Sequence, residues 1–164
     1  MDSSHSWTKA QVQKHIKAGE KLALIKDEVA LFIAQNHQNL YESDVIKYIK
    51  RAYKKHGLIN DHKKEFCIVA FAKNTKEVHY FPKNKGLKLK NNNLILLDIW
   101  ARLNNKNTYY ADATFMLYNG NKVPKEIEKT WNVLTKSRNQ AINYIKKEIK
   151  KGKMPKGLDI DRVA

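Results

Sequence analysis

The sequence predicts an α+β domain, and three observations carry that prediction. Two segments near the N-terminus repeat their apolar residues at three- and four-residue spacing, as buried helix faces do. From residue 66 onward short β-prone runs take over, separated by turn residues. A helical stripe then returns after Pro124. At 164 residues the chain has the size of one domain with one core.

Thr8 and Gln11 form a capping-box pattern, which predicts a helix from about residue 8 to 36. Val12, Ile16, Gly19, Ala23, Ala30 and Ile33 make one stripe on it, and Leu22, Ile25, Val29 and Phe32 an adjacent one. Asn36-His-Gln-Asn39 breaks the pattern. A second helix is expected over about 43–56, with Val45, Ile46, Ile49, Ala52 and Tyr53 inward. Lys54, Lys55 and His56 suit its C-terminal dipole, and Gly57 suits the residue just beyond its end. Residues 66–72 read as a strand, and Val78 to Phe81 as extended chain before Pro82. Asn119-Gly-Asn-Lys122 is a turn. Pro124 suits the first position of a third helix, whose stripe of Ile127, Trp131, Leu134, Ala141, Ile145 and Ile149 ends before Gly152. Leu158 to Ala164 starts another amphipathic helix, with Asp159 as its N-cap, and stops after one turn. So short a helix does not hold itself, so the chain reads as truncated after residue 164.

Two aspartates interrupt the apolar strands of a hairpin: Asp98 in Leu94-Ile-Leu-Leu-Asp-Ile-Trp100, and Asp112 in Thr108-Tyr-Tyr-Ala-Asp-Ala-Thr-Phe-Met-Leu-Tyr118. Centring the turn on Asn105 pairs 102 with 108, 100 with 110 and 98 with 112. The carboxylates then lie directly opposite, with Cβ atoms about 4.5–5.5 Å apart. A lone strand aspartate is more often hydrogen-bonded to a nearby turn than a ligand. Two facing carboxylates among Leu, Ile and Phe call for neutralisation, which a bound metal cation would supply.

Net charge is +16, from 32 basic and 16 acidic residues. Such a balance suits a polyanion partner, yet only Arg51, Arg102, Arg138 and Arg162 among the basic residues are arginine. Lysines mixed with many Asn and Ile also fit a compositionally biased, solvated surface, and the Lys146–Lys153 cluster reads as solvated around a helix end. Nucleic-acid binding is therefore disfavoured. No apolar run approaches the ~18–20 residues that span a membrane, and the N-terminus carries no signal-peptide core. The single cysteine, Cys67, lies in an apolar run and reads as a buried, reduced thiol of a cytoplasmic protein. His5, His15, His37, His56 and His62 read as surface residues, and Trp7, Trp100 and Trp131 as packing. No zinc-type His or Cys spacing, phosphate loop or nucleophile elbow occurs.

Taken in order, these segments resemble the creatinase/prolidase/methionine aminopeptidase family of pita-bread metallopeptidases, in its Xaa-Pro aminopeptidase and prolidase-like branch. Lys14-His-Ile-Lys-Ala-Gly-Glu-Lys-Leu22 resembles the entry helix of the catalytic domain, and Glu42-Ser-Asp-Val45 the Glu-x-x-Val start of its second helix. Ile68 to Tyr80 resembles the segment that delivers an active-site histidine, here His79. Leu96-Leu-Asp98 and Tyr110-Ala-Asp112 resemble the strands that carry two metal-ligand aspartates, and Gly157-Leu-Asp-Ile-Asp-Arg162 the opening of the second half.

The resemblance implies the first half of a pita-bread fold: a curved antiparallel sheet with outer helices, spanning residues 1–164 as a partial catalytic domain. It implies a hydrolase with two divalent ions (Mn, Co or Zn), acting on peptide bonds near the N-terminus. Asp98 and Asp112 would be ligands, and His79 would contact the substrate or transition state, where by itself it reads as a loop histidine. The remaining His and two Glu ligands belong to the family's second half, so the site is expected to be incomplete and this chain alone inactive. A homo-oligomer or a complementing second half would cover the exposed sheet edge. The alternative is a non-catalytic pita-bread-like module that binds protein or nucleic acid through its basic surface. Several positions depart from the family pattern: the Asp98–Asp112 spacing is longer, Phe115 and Met116 replace Arg and Thr, Ala72 stands for a glycine and Val78 for a proline.

Overall fold

The computed structural model describes residues 6–62 and 66–164. The chain forms two compact units, the first ending at Gly120 and the second running from Asn121 to Ala164. In the first unit, α1 spans Lys9–Asn36 and α2 Glu42–Lys55. Strands β1 (Leu58–Ile59), β2 (Ile68–Phe71), β3 (Asn93–Leu103) and β4 (Ala111–Asn119) follow. The second unit holds α3 (Lys125–Lys150) and α4 (Gly157–Asp161).

The capping box opens α1: Gln11 N donates to Thr8 Oγ1 at 3.3 Å, and Thr8 N to Gln11 Oε1 at 2.7 Å. Of the two stripes expected on α1, the second is the inward one. Leu22, Ile25 and Val29 are buried together with Ala18 and Ile33, whereas Val12, Ile16 and Ala23 face solvent. On α2 the inward residues are Val45, Ile49, Ala52 and Tyr53, joined by Glu42. Gly57 ends that helix with φ +66, a conformation open to glycine without steric cost.

β3 is the spine of an antiparallel sheet. β2 pairs with it from Ile68↔Asp98 to Phe71↔Ile95, and β4 from Asn93↔Asn119 to Ala101↔Ala111. β1 joins the end of β3 through Leu58↔Leu103. Because side chains alternate across a strand, the odd positions Ile95, Leu97, Ile99 and Ala101 enter one core with the buried faces of α1 and α2. The even positions Leu94, Leu96, Asp98 and Trp100 stay half-buried on the other face. Fully burying a Leu or Ile side chain contributes about 1.5–3 kcal/mol, so the odd face anchors the sheet and leaves the even face free for chemistry.

Three expectations are corrected. Val78 and His79 form a turn instead of extended chain: a 3₁₀ turn over Ala72–Lys76 reverses the strand, and His79 has φ +54. The stripe on α3 is not buried, with Trp131 44% and Leu134 60% exposed, because the five-residue α4 is too short to cover it. Trp131 is thus not a packing residue of its unit. Pro124 is the N-cap of α3, one position before the helix begins. His5 lies outside the described residues. No helix among the described residues is long and apolar enough to cross a membrane.

Candidate active site

The Asp98/Asp112 hairpin forms, but with a different register. Asp98 faces Thr114 and Asp112 faces Trp100, so the two aspartates are diagonal neighbours and not a direct pair. The β3–β4 ladder stops at Ala101↔Ala111, leaving residues 102–110 as a broad tip, while Arg102 and Leu103 pair with β1. Within that tip Asn107 has φ +53, and Thr108 Oγ1 donates to Leu103 O at 3.1 Å. A two-residue shift preserves the face, since the side-chain period is two. Both aspartates therefore still project from the same side of the sheet, with Cα atoms about 7–8 Å apart in such a ladder.

That side is the open one. Asp98 is half-buried and Asp112 exposed, so they are not charges sunk among Leu, Ile and Phe. Partial burial of the Asp112 carboxyl raises its pKa, the Asp98 charge raises it further, and a hydrogen bond with Asp98 adds to both. Thr114 Oγ1 donates to Asp98 Oδ1 at 2.9 Å. Among the described residues neither aspartate has a Lys, Arg or His in an ion pair. Two adjoining carboxylates with unused oxygens and no protein cation are a fitting donor set for a hard divalent ion. Among the described residues no three His, Cys, Asp or Glu side chains converge to hold a metal.

Around the pair lies an open cleft of about 330 Å³, lined by His62, Ile68, His79, Phe81, Asp98, Trp100 and Asp112. The fold thus brings all three residues singled out in the sequence, Asp98, Asp112 and His79, to one place. β2 supplies Ile68, the turn after it supplies His79 and Phe81, and β3 supplies Trp100. Polar and apolar groups share the lining, as in sites where a few oriented groups work inside a greasy wall.

His62 is exposed, as expected, and it also lines this cleft. Its ring centroid is 5.9 Å from that of Tyr110. Next to it Asp61 accepts from Arg102 Nη2 at 2.8 Å, Arg102 Nε at 3.0 Å and the Tyr110 hydroxyl at 3.1 Å. The hydrogen bond from Arg102 is the main cause that lowers the Asp61 pKa. No local motif marks His62. Its place depends on this long-range clamp between the loop and the hairpin, which has no signature in sequence. Cys67 is buried, and burial pushes its thiol up to about 12.

Residues 13–160 match the model of Metallopeptidase family M24. No curated protein matches the chain. Among solved structures, the X-Pro aminopeptidase of Thermotoga maritima is similar at 18% identity and a TM-score of 0.64, over 82% of this chain and 35% of that one. Prolidase from Thermococcus sibiricus gives 19% and 0.66, over 82% and 34%. Pseudomonas aeruginosa aminopeptidase PepP gives 18% and 0.69, over 84% and 29%. What is shared at such identities is the fold, in the helix-and-antiparallel-sheet arrangement of a pita-bread half. The chain spans about a third of the length of these proteins.

Proposed function

The chain belongs to metallopeptidase family M24, and on that premise we propose that it supplies part of the active site of a cytoplasmic, metal-dependent peptidase of the Xaa-Pro aminopeptidase and prolidase type. Its substrate would be a peptide, cut near the N-terminus. The observation that carries this reading is the placement of Asp98 and Asp112 side by side in one cleft with His79, with no protein cation to balance them.

Asp98 and Asp112 are the residues that would hold a dinuclear divalent centre (manganese, cobalt or zinc), together with His and Glu ligands from a second half of the domain. When bound, such a centre supplies a water nucleophile at neutral pH and Lewis acidity at the scissile carbonyl. The chain's own residues do the rest. Thr114 holds one oxygen of Asp98 and so fixes the plane of that carboxylate. His79, at the cleft wall, donates a hydrogen bond to the substrate carbonyl or to the tetrahedral species that follows it. Ile68, Phe81 and Trp100 form the wall that receives the apolar part of the peptide. Two carboxylates do not fill two coordination spheres, so the 164-residue chain alone is expected to be inactive.

The test is hydrolysis of Xaa-Pro peptides with manganese, measured on these residues joined to the remainder of an M24 domain. Asp112→Asn should lower kcat/KM by well over the roughly 10–100-fold that loss of an outer-shell partner costs. Full activity and full metal content in that variant would sink the assignment. The alternative, a non-catalytic module on a basic surface, rests on the +16 charge alone. It would show itself as RNA or heparin affinity falling steeply with salt.

A further inference from the structure

Glu42 is fully buried, at 0% exposure, on the first turn of α2. Four donors converge on it. Phe71 N and Asn74 Nδ2 donate to Oε1 at 2.7 and 3.0 Å; the Tyr80 hydroxyl and Leu87 N donate to Oε2 at 2.7 and 2.8 Å. Asn74 Nδ2 also reaches the Tyr80 hydroxyl at 2.7 Å. Among the described residues no cation pairs with this carboxylate. An ionised carboxyl is an acceptor-only group with about four lone-pair sites, so it satisfies four donors at once. An amide in its place would offer one acceptor oxygen and turn two hydrogens on the remaining donors. The site is closed by Gly86 at φ +71, where an added Cβ would collide with Glu42 Oε2.

The four donors belong to one loop. Phe71 opens it, Asn74 and Tyr80 sit on either side of the turn, and Leu87 closes it. Between Asn74 and Tyr80 lies His79, exposed and at φ +54, a conformation uncommon for residues other than glycine. His79 also lies on two cavities, the cleft of the aspartates and a neighbouring one lined by Asn74, Tyr80 and Gly86. We propose that Glu42 is the positioning residue of the candidate site: its buried carboxylate clamps the 71–87 loop and thereby fixes His79 at the cleft. This rests on the reading of the cleft as the peptidase site, and adds to it the group that orders its histidine.

The clamp is tested on the isotopically labelled 164-residue chain by NMR, with amide hydrogen exchange measured metal-free and line broadening measured on adding Mn²⁺ alone. In wild type Mn²⁺ should broaden both Thr114 and the His79 ring. E42Q should speed exchange of the Lys73–Leu87 amides at least ~10-fold, leave Ile95–Ile99 unchanged, and abolish His79 broadening while Thr114 stays broadened. E42D, which keeps the charge, should restore part of both effects. Unchanged loop exchange, or undiminished His79 broadening, in a folded E42Q overturns the proposal. If E42Q does not fold, the N74A/Y80F double variant decides by the same two readouts, since it leaves Glu42 its backbone donors. Mn²⁺ that broadens neither residue in wild type contradicts the metal reading of the cleft. The clamp is then judged by metal-free exchange and by the His79 ring shifts in E42Q against wild type, which should differ.

Discussion

Asp112 is held in a state that favours its proton. Partial burial leads, and the adjoining Asp98 carboxylate acts in the same direction. The sign of the consequence follows from linkage. A carboxyl whose folded pKa is raised contributes stability at pH values below the ordinary carboxylate range, and that contribution is lost as pH rises through the folded value. Glu28, lowered mainly by its hydrogen bond from Lys55, and Asp61, lowered by Arg102, act oppositely: their stability is present above their ordinary values and lost as pH falls. The wild-type profile therefore mixes the two, and the difference between wild type and Asp112→Asn isolates Asp112. Without metal, the variant should gain thermal stability relative to wild type as pH rises from 4 to 7. A wild-type-minus-variant difference that is flat with pH would show that the Asp112 pKa is not raised in the folded protein. Asp112 is exposed enough for solvent to screen much of the effect, so its size should be modest.

Elements differ in how far their residues alone foretell them. Ala72 opens the 3₁₀ turn after β2 with φ +50, a region where an L-residue other than Asn or Asp is strained by roughly 1–2 kcal/mol. Ala72→Gly should relieve that strain, offset in part by the ~0.4–1 kcal/mol of extra unfolded-chain entropy. A net gain of about 0.5 kcal/mol in urea unfolding is expected, and a loss of 1 kcal/mol or more would contradict the turn's geometry. The capping box, both N-terminal helices and the Gly57 stop were readable because each depends on contacts a few residues apart. The shared face of Asp98 and Asp112 was readable too, since it needs only parity. Their exact partners were not, because the tip runs over residues 102–110 and is not the turn centred on Asn105 that the polar residues suggest. The place of His62 and the Glu42 clamp were missed because their contacts are long-range: Tyr110 and Arg102 lie far along the chain from the first, and Phe71 and Leu87 from the second. The α3 stripe was legible as amphipathic, but periodicity does not say what covers it.

At the scale of the molecule, one sheet divides its labour between faces. The odd face of β3 joins α1 and α2 in the core, and the even face carries the aspartates into a cleft that β2 and the His79 turn complete. β4 is paired only with β3 among the described residues, so it presents an edge on which further strands could continue the sheet. The chain spans about a third of the length of the solved peptidases it resembles. The central claim is that the Asp98/Asp112 pair binds a divalent cation. The direct measurement is Mn²⁺ binding to the 164-residue chain, followed by the loss of the free-ion paramagnetic resonance signal. Saturable binding that weakens at least ~10-fold (about 1.4 kcal/mol) in Asp98→Asn and again in Asp112→Asn, but not in a lysine or glutamate variant of α3, is the predicted result. Equal Mn²⁺ affinity in wild type and the Asp98→Asn/Asp112→Asn double variant would contradict it.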